Sequence, residues 1–181
     1  MIESLFIVGL LAAQTGKLPP KALAPHPALT VKPLATANFS VYASPSSISF
    51  AATNPDSPTV AGSATTTVSW TTTSTPANDP WKLQVSSTSS SFSNCATAIP
   101  ASAVTITCTS GFNPGPGGFN CGAPATLSTS PVTVASGTLP YAGSSTSFWM
   151  TFTFTLTDSW SYIAQTSSSC TLNITYLATV N

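Results

Sequence analysis

From Phe148 to Thr157 the chain alternates without a break. Phe148, Met150, Phe152, Phe154 and Leu156 fall on one parity, and Trp149, Thr151, Thr153, Thr155 and Thr157 on the other. A period of two is that of an extended strand, whose successive side chains point to opposite faces. Wound into a helix, the same residues would scatter around every side. The segment therefore predicts a strand with one apolar face that must be covered and one hydroxyl face that can meet water. Threonine suits the second face because its branched Cβ fits a pleated surface.

The same pattern recurs along the chain. Val68 and Trp70 sit between Thr67, Ser69 and Thr71. Trp81, Leu83 and Val85 alternate with Lys82, Gln84 and Ser86; Val104, Ile106 and Cys108 alternate with Thr105, Thr107 and Thr109. Leu172, Ile174, Tyr176, Ala178 and Val180 oppose Thr171, Asn173, Thr175 and Thr179. Leu29, Val31, Ala35, Ala37, Phe39 and Val41 share a parity across an interruption at Pro33, and Ser46–Ala51 is a shorter candidate. Pro-, Gly- and Asn-rich turns separate these runs, at residues 54–58, 75–80 and 113–118. No 3.6-residue period persists beyond the first residues. Seven or eight such strands predict an all-β fold, an antiparallel β-sandwich of jelly-roll or immunoglobulin/pilin-like type. The body spans residues 38–181, and residues 1–37 form an N-terminal arm.

Charge restricts function. Only 4% of the residues are charged, against about 25% in ordinary soluble domains, and arginine is absent. Lys17, Lys21, Lys32 and Lys82 are too dispersed to neutralise a phosphate backbone, so no nucleic-acid partner is expected. Acid–base chemistry has little to draw on: Glu3, Asp56, Asp79, Asp158 and His26. Asp56 and Asp79 lie in turns, Asp158 suits an Asx hydrogen bond, and His26 stands between prolines. A nucleophilic serine lacks a base. No enzyme activity, no cofactor and no metal site are expected.

The four cysteines, Cys95, Cys108, Cys121 and Cys170, contain no Cys-x-x-Cys pair. An even number in a chain of this character predicts two disulfides and an oxidising compartment. Three pairings are possible. Cys108–Cys121, closing the Gly/Pro-rich loop, with Cys95–Cys170 tying distant strands, is the favoured one.

Residues 2–13 are apolar but shorter than the roughly 20 residues of a membrane span. They resemble a secretory signal core, with Ala22-Leu23-Ala24 as a small-residue cleavage site, yet Glu3 and the lack of lysine before them fit poorly. The reading adopted is a retained segment that buries itself. A connector with Pro19, Pro20, Pro25, Pro27 and Pro33 follows and favours an extended spacer. Leu5, Phe6, Leu29, Val31, Phe39 and Val41 are the candidate assembly residues. The alternative is that the arm folds back onto its own domain.

Two Asn-x-Ser/Thr sequons, at Asn38 and Asn173, are candidate glycosylation sites, both on the hydroxyl parity of their strands. Trp70, Trp81 and Trp160 read first as packing residues. Trp149, on the threonine parity, is placed outward; core or intersubunit packing is its first reading too, and sugar stacking is the alternative.

The hydroxyl-and-apolar strands, the terminal strand Cys170–Val180, the cysteine pair around a loop and the arm ending in Leu29–Val41 together resemble secreted β-sandwich filament subunits. These are the pilin-like sandwiches of the chaperone–usher and spore-coat-U type, the TasA-like matrix fibres and archaeal threads. The resemblance lies in layout and composition. It implies a subunit of an extracellular or cell-surface filament, a homopolymer joined by strand addition through the N-terminal arm. Two rival expectations are a viral capsid or surface-layer protein, and a carbohydrate-binding or adhesive module.

Overall fold

A computed structural model of the chain describes residues 6–8, 29–31, 39–50, 58–72, 79–113, 118–139, 146–159, 162 and 170–180. Its strands in chain order are β1 (Phe6–Val8), β2 (Leu29–Val31), β3 (Phe39–Ser44), β4 (Ser47–Ser49), β5 (Thr59–Ala61), β6 (Thr66–Thr72) and β7 (Pro80–Ser87). They continue with β8 (Val104–Phe112), β9 (Phe119–Cys121), β10 (Ala125–Thr126), β11 (Val132–Thr138), β12 (Thr146–Thr157) and β13 (Thr171–Val180). One short 3-10 turn, Ala101–Ala103, precedes β8.

The strands form two sheets. A seven-stranded sheet runs β4-β1-β13-β7-β11-β9, with β2 also on β13; a six-stranded sheet runs β10-β8-β12-β6-β3, with β5 also on β12. Pairing is antiparallel except for β1 with β4 and β2 with β13. This is the all-β sandwich that the alternation predicts. The chain passes from β3 in one sheet to β4 in the other through a cis Ser44-Pro45 peptide.

The core lies between the two inner faces, and the predicted apolar parities supply it. Phe148, Met150, Phe152, Phe154 and Leu156 of β12 are buried, as are Trp81, Leu83 and Val85 of β7 and Leu172, Ile174, Tyr176 and Ala178 of β13. Aromatic rings join the layers. Trp70 of β6 meets Trp81 of β7 edge-on, with centroids 5.1 Å apart, and stacks on Phe148 at 5.4 Å. Phe152 stacks on Tyr176 at 5.9 Å. Such pairs add about 0.5–1.5 kcal/mol each beyond the area they bury.

Two bulges break the alternation. On β8, Ser110 faces Thr151 while Cys108 faces Phe152, so Thr109 is the extra residue. On β11, Thr133 faces Gln84 while Ala135 faces Leu83. The second bulge lets adjacent Val134 and Ala135 both be buried. An extra residue flips the parity of everything beyond it.

Both disulfides join the expected partners. Cys95–Cys170 spans a sequence separation of 75, and Cys108–Cys121 one of 13. The second pair links β8 to β9, and therefore one sheet to the other. Two disulfides suit an oxidising compartment. Among the described residues no helix is long and apolar enough to cross a membrane.

Candidate functional site

Strand β13 has two edges with different occupants. One is held by its own domain. β7 pairs with it from Ile174 to Val180, and Thr88 N donates to Asn173 O at 2.8 Å. Ser93 then exchanges both backbone hydrogen bonds with Thr171, at 2.8 and 2.9 Å, and its hydroxyl lies 3.2 Å from that of Thr171. Cys95–Cys170 sits beside this bridge and fixes it covalently. The first residues of β13 are therefore held from this side independently of their opposite edge.

That opposite edge receives the arm. β1 runs antiparallel to β13, with Phe6, Ile7 and Val8 opposite Asn173, Leu172 and Thr171. β2 runs parallel to it, with Leu29, Thr30 and Val31 opposite Leu172, Asn173 and Ile174. Residues 172 and 173 are thus register partners of both arm segments. A strand edge presents one outward row of N–H and C=O groups, and two segments of opposite direction address the same row. On its far side β1 meets Ser47 and Ser49 of β4.

The candidate assembly residues divide on this frame. Phe6, Leu29 and Val31 lie in strands on the β13 edge, and Phe39 opens β3, opposite Thr72. Val41 lies two residues further along β3. It is 6% exposed, opposite Trp70, in the core of its own domain. The alternation through Leu29–Val41 spans two strands in different sheets, and Val41 belongs to the core side of that division. Of the sequon asparagines, Asn173 is exposed on β13. Leu5, Asn38, His26, Asp56 and Trp160 lie outside the described residues.

Titratable chemistry is sparse. Among the described residues the acidic and basic side chains are Asp79, Lys82 and Asp158, and no group of three His, Cys, Asp or Glu is placed to hold a metal ion. Asp158 Oδ1 accepts from the backbone of the next residue, Ser159 N, at 2.7 Å. Burial, and then the Asp158 charge, raises the Tyr162 hydroxyl above its ordinary pKa.

The reading of Trp149 as outward-facing agrees with the structure, where it is 40% exposed. Two partners on the same face, Tyr42 and Phe112, are the residues that sequence reasoning missed. Tyr42 was legible, since it has the opposite parity to buried Val41 and Ala43. Phe112 was not, because it shares the even parity of Val104 and Ile106 and only the bulge turns it out. Gly111 is the available hint. A Cβ there would lie 2.1 Å from Met150 Sδ, so a side chain at this point would collide with the strand that carries Trp149.

Comparison with protein-family models, with curated proteins and with solved structures finds no match for this chain.

Proposed function

We propose that this chain is a structural subunit of an extracellular or cell-surface filament, and that copies join when the arm of one adds as a strand to the β13 edge of the next. The observation that carries the reading is the double claim on one edge. Both segments pair with β13 of their own chain, and on this reading one keeps its place while the other moves to the same edge of a neighbour. Donor and acceptor are different surfaces of the molecule, so the contact is head-to-tail, and a head-to-tail contact that does not close on itself builds a fibre. Main-chain hydrogen bonding supplies the attachment, as in other strand additions. The sparse charge of the surface fits this role, because few charged groups guard the edges against pairing. Asn173 is the exposed sequon on the described surface, and a glycan there would stand beside the junction.

Deleting residues 1–37 tests the reading by electron microscopy of the assembled material. The expected product has an open edge and forms no filaments. A synthetic peptide of residues 1–37 should then bind it and restore its solubility. Normal filaments from the truncated chain would refute the proposal, and closed shells from the full chain would select the capsid reading.

A further inference from the structure

The outer face of the six-stranded sheet carries a feature that neither the core nor the arm uses. Tyr42 lies opposite Ser69 across β3 and β6, Ser69 opposite Trp149 across β6 and β12, and Trp149 opposite Phe112 across β12 and β8. The four residues form one line across four adjacent strands. That line holds all three exposed large hydrophobic side chains among the described residues: Tyr42 at 48%, Phe112 at 47% and Trp149 at 40%. Single exposed apolar residues are ordinary, but three aligned on one row are not scatter.

The row is also fixed in place. The β8 bulge turns Phe112 to this side, and its ring lies 6.4 Å from that of Trp149 with planes 15° apart. The next residue, Asn113, donates from Nδ2 to Thr138 O at 2.9 Å and also to Gly118 O, which anchors that end of β8. Ser69 is small, so between Tyr42 and Trp149, two strand spacings or about 10 Å apart, the row has a notch with a hydroxyl on its floor.

Its surroundings define the ligand. One flanking row is Ser44, Thr67, Thr151 and Ser110; the other includes Thr71 and Ser147. Among the described residues every one of these flanking positions is Ser or Thr, and the three rows hold no charged residue. A strip of aromatic rings between two hydroxyl rows matches a sugar chain, whose rings have apolar C–H faces and whose rims are hydroxyls. Absence of charge selects a neutral sugar over an acidic one and argues against nucleic acid. The row crosses three strand spacings, about 14 Å, which suits several linked sugars better than one. A second copy of the chain is the weaker occupant, because the apolar strip is one residue wide and a stable interface needs about 800 Å² from each partner.

We propose that Tyr42, Ser69, Trp149 and Phe112 form a binding site for a neutral polysaccharide, its rings stacked on the aromatic side chains and its hydroxyls bonded to the flanking Ser and Thr. The site is independent of the arm, so it stands or falls apart from the filament reading.

The experiment is native electrophoresis of the full chain through gels containing dissolved hydroxyethylcellulose, xyloglucan, glucomannan or mixed-linkage glucan, with pull-down on insoluble cellulose and chitin. At least one of these should retard or capture the protein. Trp149→Ala should weaken that binding tenfold or more, Tyr42→Ala and Phe112→Ala by less, and Trp149→Phe should keep most of it. All four variants should stay folded and unfold as cooperatively as the unaltered protein. Failure of the unaltered protein to bind any of the six would overturn the proposal, as would equal binding by Trp149→Ala. Sedimentation that changes in Trp149→Ala while no sugar binding is lost would assign the face to contacts between copies.

Discussion

The edge of β13 that meets the arm and the outer face of β12 both offer chemistry that the core of the domain does not use, but of different kinds. The edge offers backbone N–H and C=O groups, which any extended segment of suitable length can use. The face offers three particular rings, and its recognition disappears if they are changed. A surface built from backbone tolerates substitution and is sensitive to length and register. A surface built from side chains tolerates neither loss nor re-aiming of single residues. One domain holds both because alternation separates the roles: inner parity makes the core, outer parity makes the face, and the sheet boundary makes the edge.

The largest test of this comparison removes the covalent support of each region. By loop-closure entropy, loss of Cys95–Cys170, with a separation of 75, costs about 4.5 kcal/mol, and loss of Cys108–Cys121, with a separation of 13, costs about 3 kcal/mol. Paired Cys→Ala variants compared by urea midpoint should fall in that order. The first should also speed amide exchange at Leu172 and Asn173, and the second should leave those amides protected. Exchange at the edge that responds equally to both would erase the distinction.

Next in size is the contrast between the two sides of one sheet. Trp70→Ala opens the aromatic cluster between the layers and is expected to cost about 3–5 kcal/mol. Trp149→Ala gives up one stacked pair on an exposed face and should cost about 0.5–1.5 kcal/mol. Denaturant unfolding measures both, and a similar loss for the two would mean that Trp149 belongs to the packing of the domain.

A smaller effect is expected at the bulge. Gly111→Ala places a methyl 2.1 Å from Met150 Sδ and 3.0 Å from the carbonyl oxygen of Trp149. Met150 is fully buried, so the strands must separate at a cost of about 1–3 kcal/mol. Fluorescence of the exposed tryptophan should shift in parallel with the urea midpoint. An unchanged midpoint would show that the bulge has room to give.

The smallest effect lies behind the edge. Tyr176 is fully buried, and its hydroxyl has no hydrogen-bond partner among the described residues. Tyr176→Phe is therefore expected to stabilise the domain by about 1 kcal/mol. Burial raises the hydroxyl's pKa well above the ordinary 10.0, so ionisation favours the unfolded chain. The folded state keeps its full stability below pH 10.0 and loses it as the pH rises further. Tyr176→Phe should flatten that alkaline decline in thermal unfolding. The share from Tyr162, raised by its own burial and then by Asp158, should remain.

How far the fold was legible can be followed residue by residue. β12, β13 and β7 were readable because each has an uninterrupted apolar parity, and the two sheets follow from the need to cover those faces. β11 was not: Val134 and Ala135 are adjacent yet both buried, a pattern that looks irregular until the bulge is known. β9 and β10, at three and two residues, are too short to show a period. Strand order was beyond reach, because alternation identifies the inward side chains and says nothing of neighbours. The face was half legible for the same reason. Trp149 declared itself by parity, but its alignment with Tyr42 and Phe112 exists only in the register between strands.

Seen as a mechanical object, the chain is shorter than its sequence. Cys95 and Cys170 are joined, so tension entering on one side of that link and leaving on the other passes directly between the two sulfurs. Every strand from β8 to β12 lies in the bypassed loop. Stretching can strip the strands outside the loop, β13 among them, while the segment that carries Trp149 and Phe112 stays slack. A fibre of such units would load its junctions and β13 directly, and the looped strands through ladders such as those that β11 and β12 share with β7 and β6.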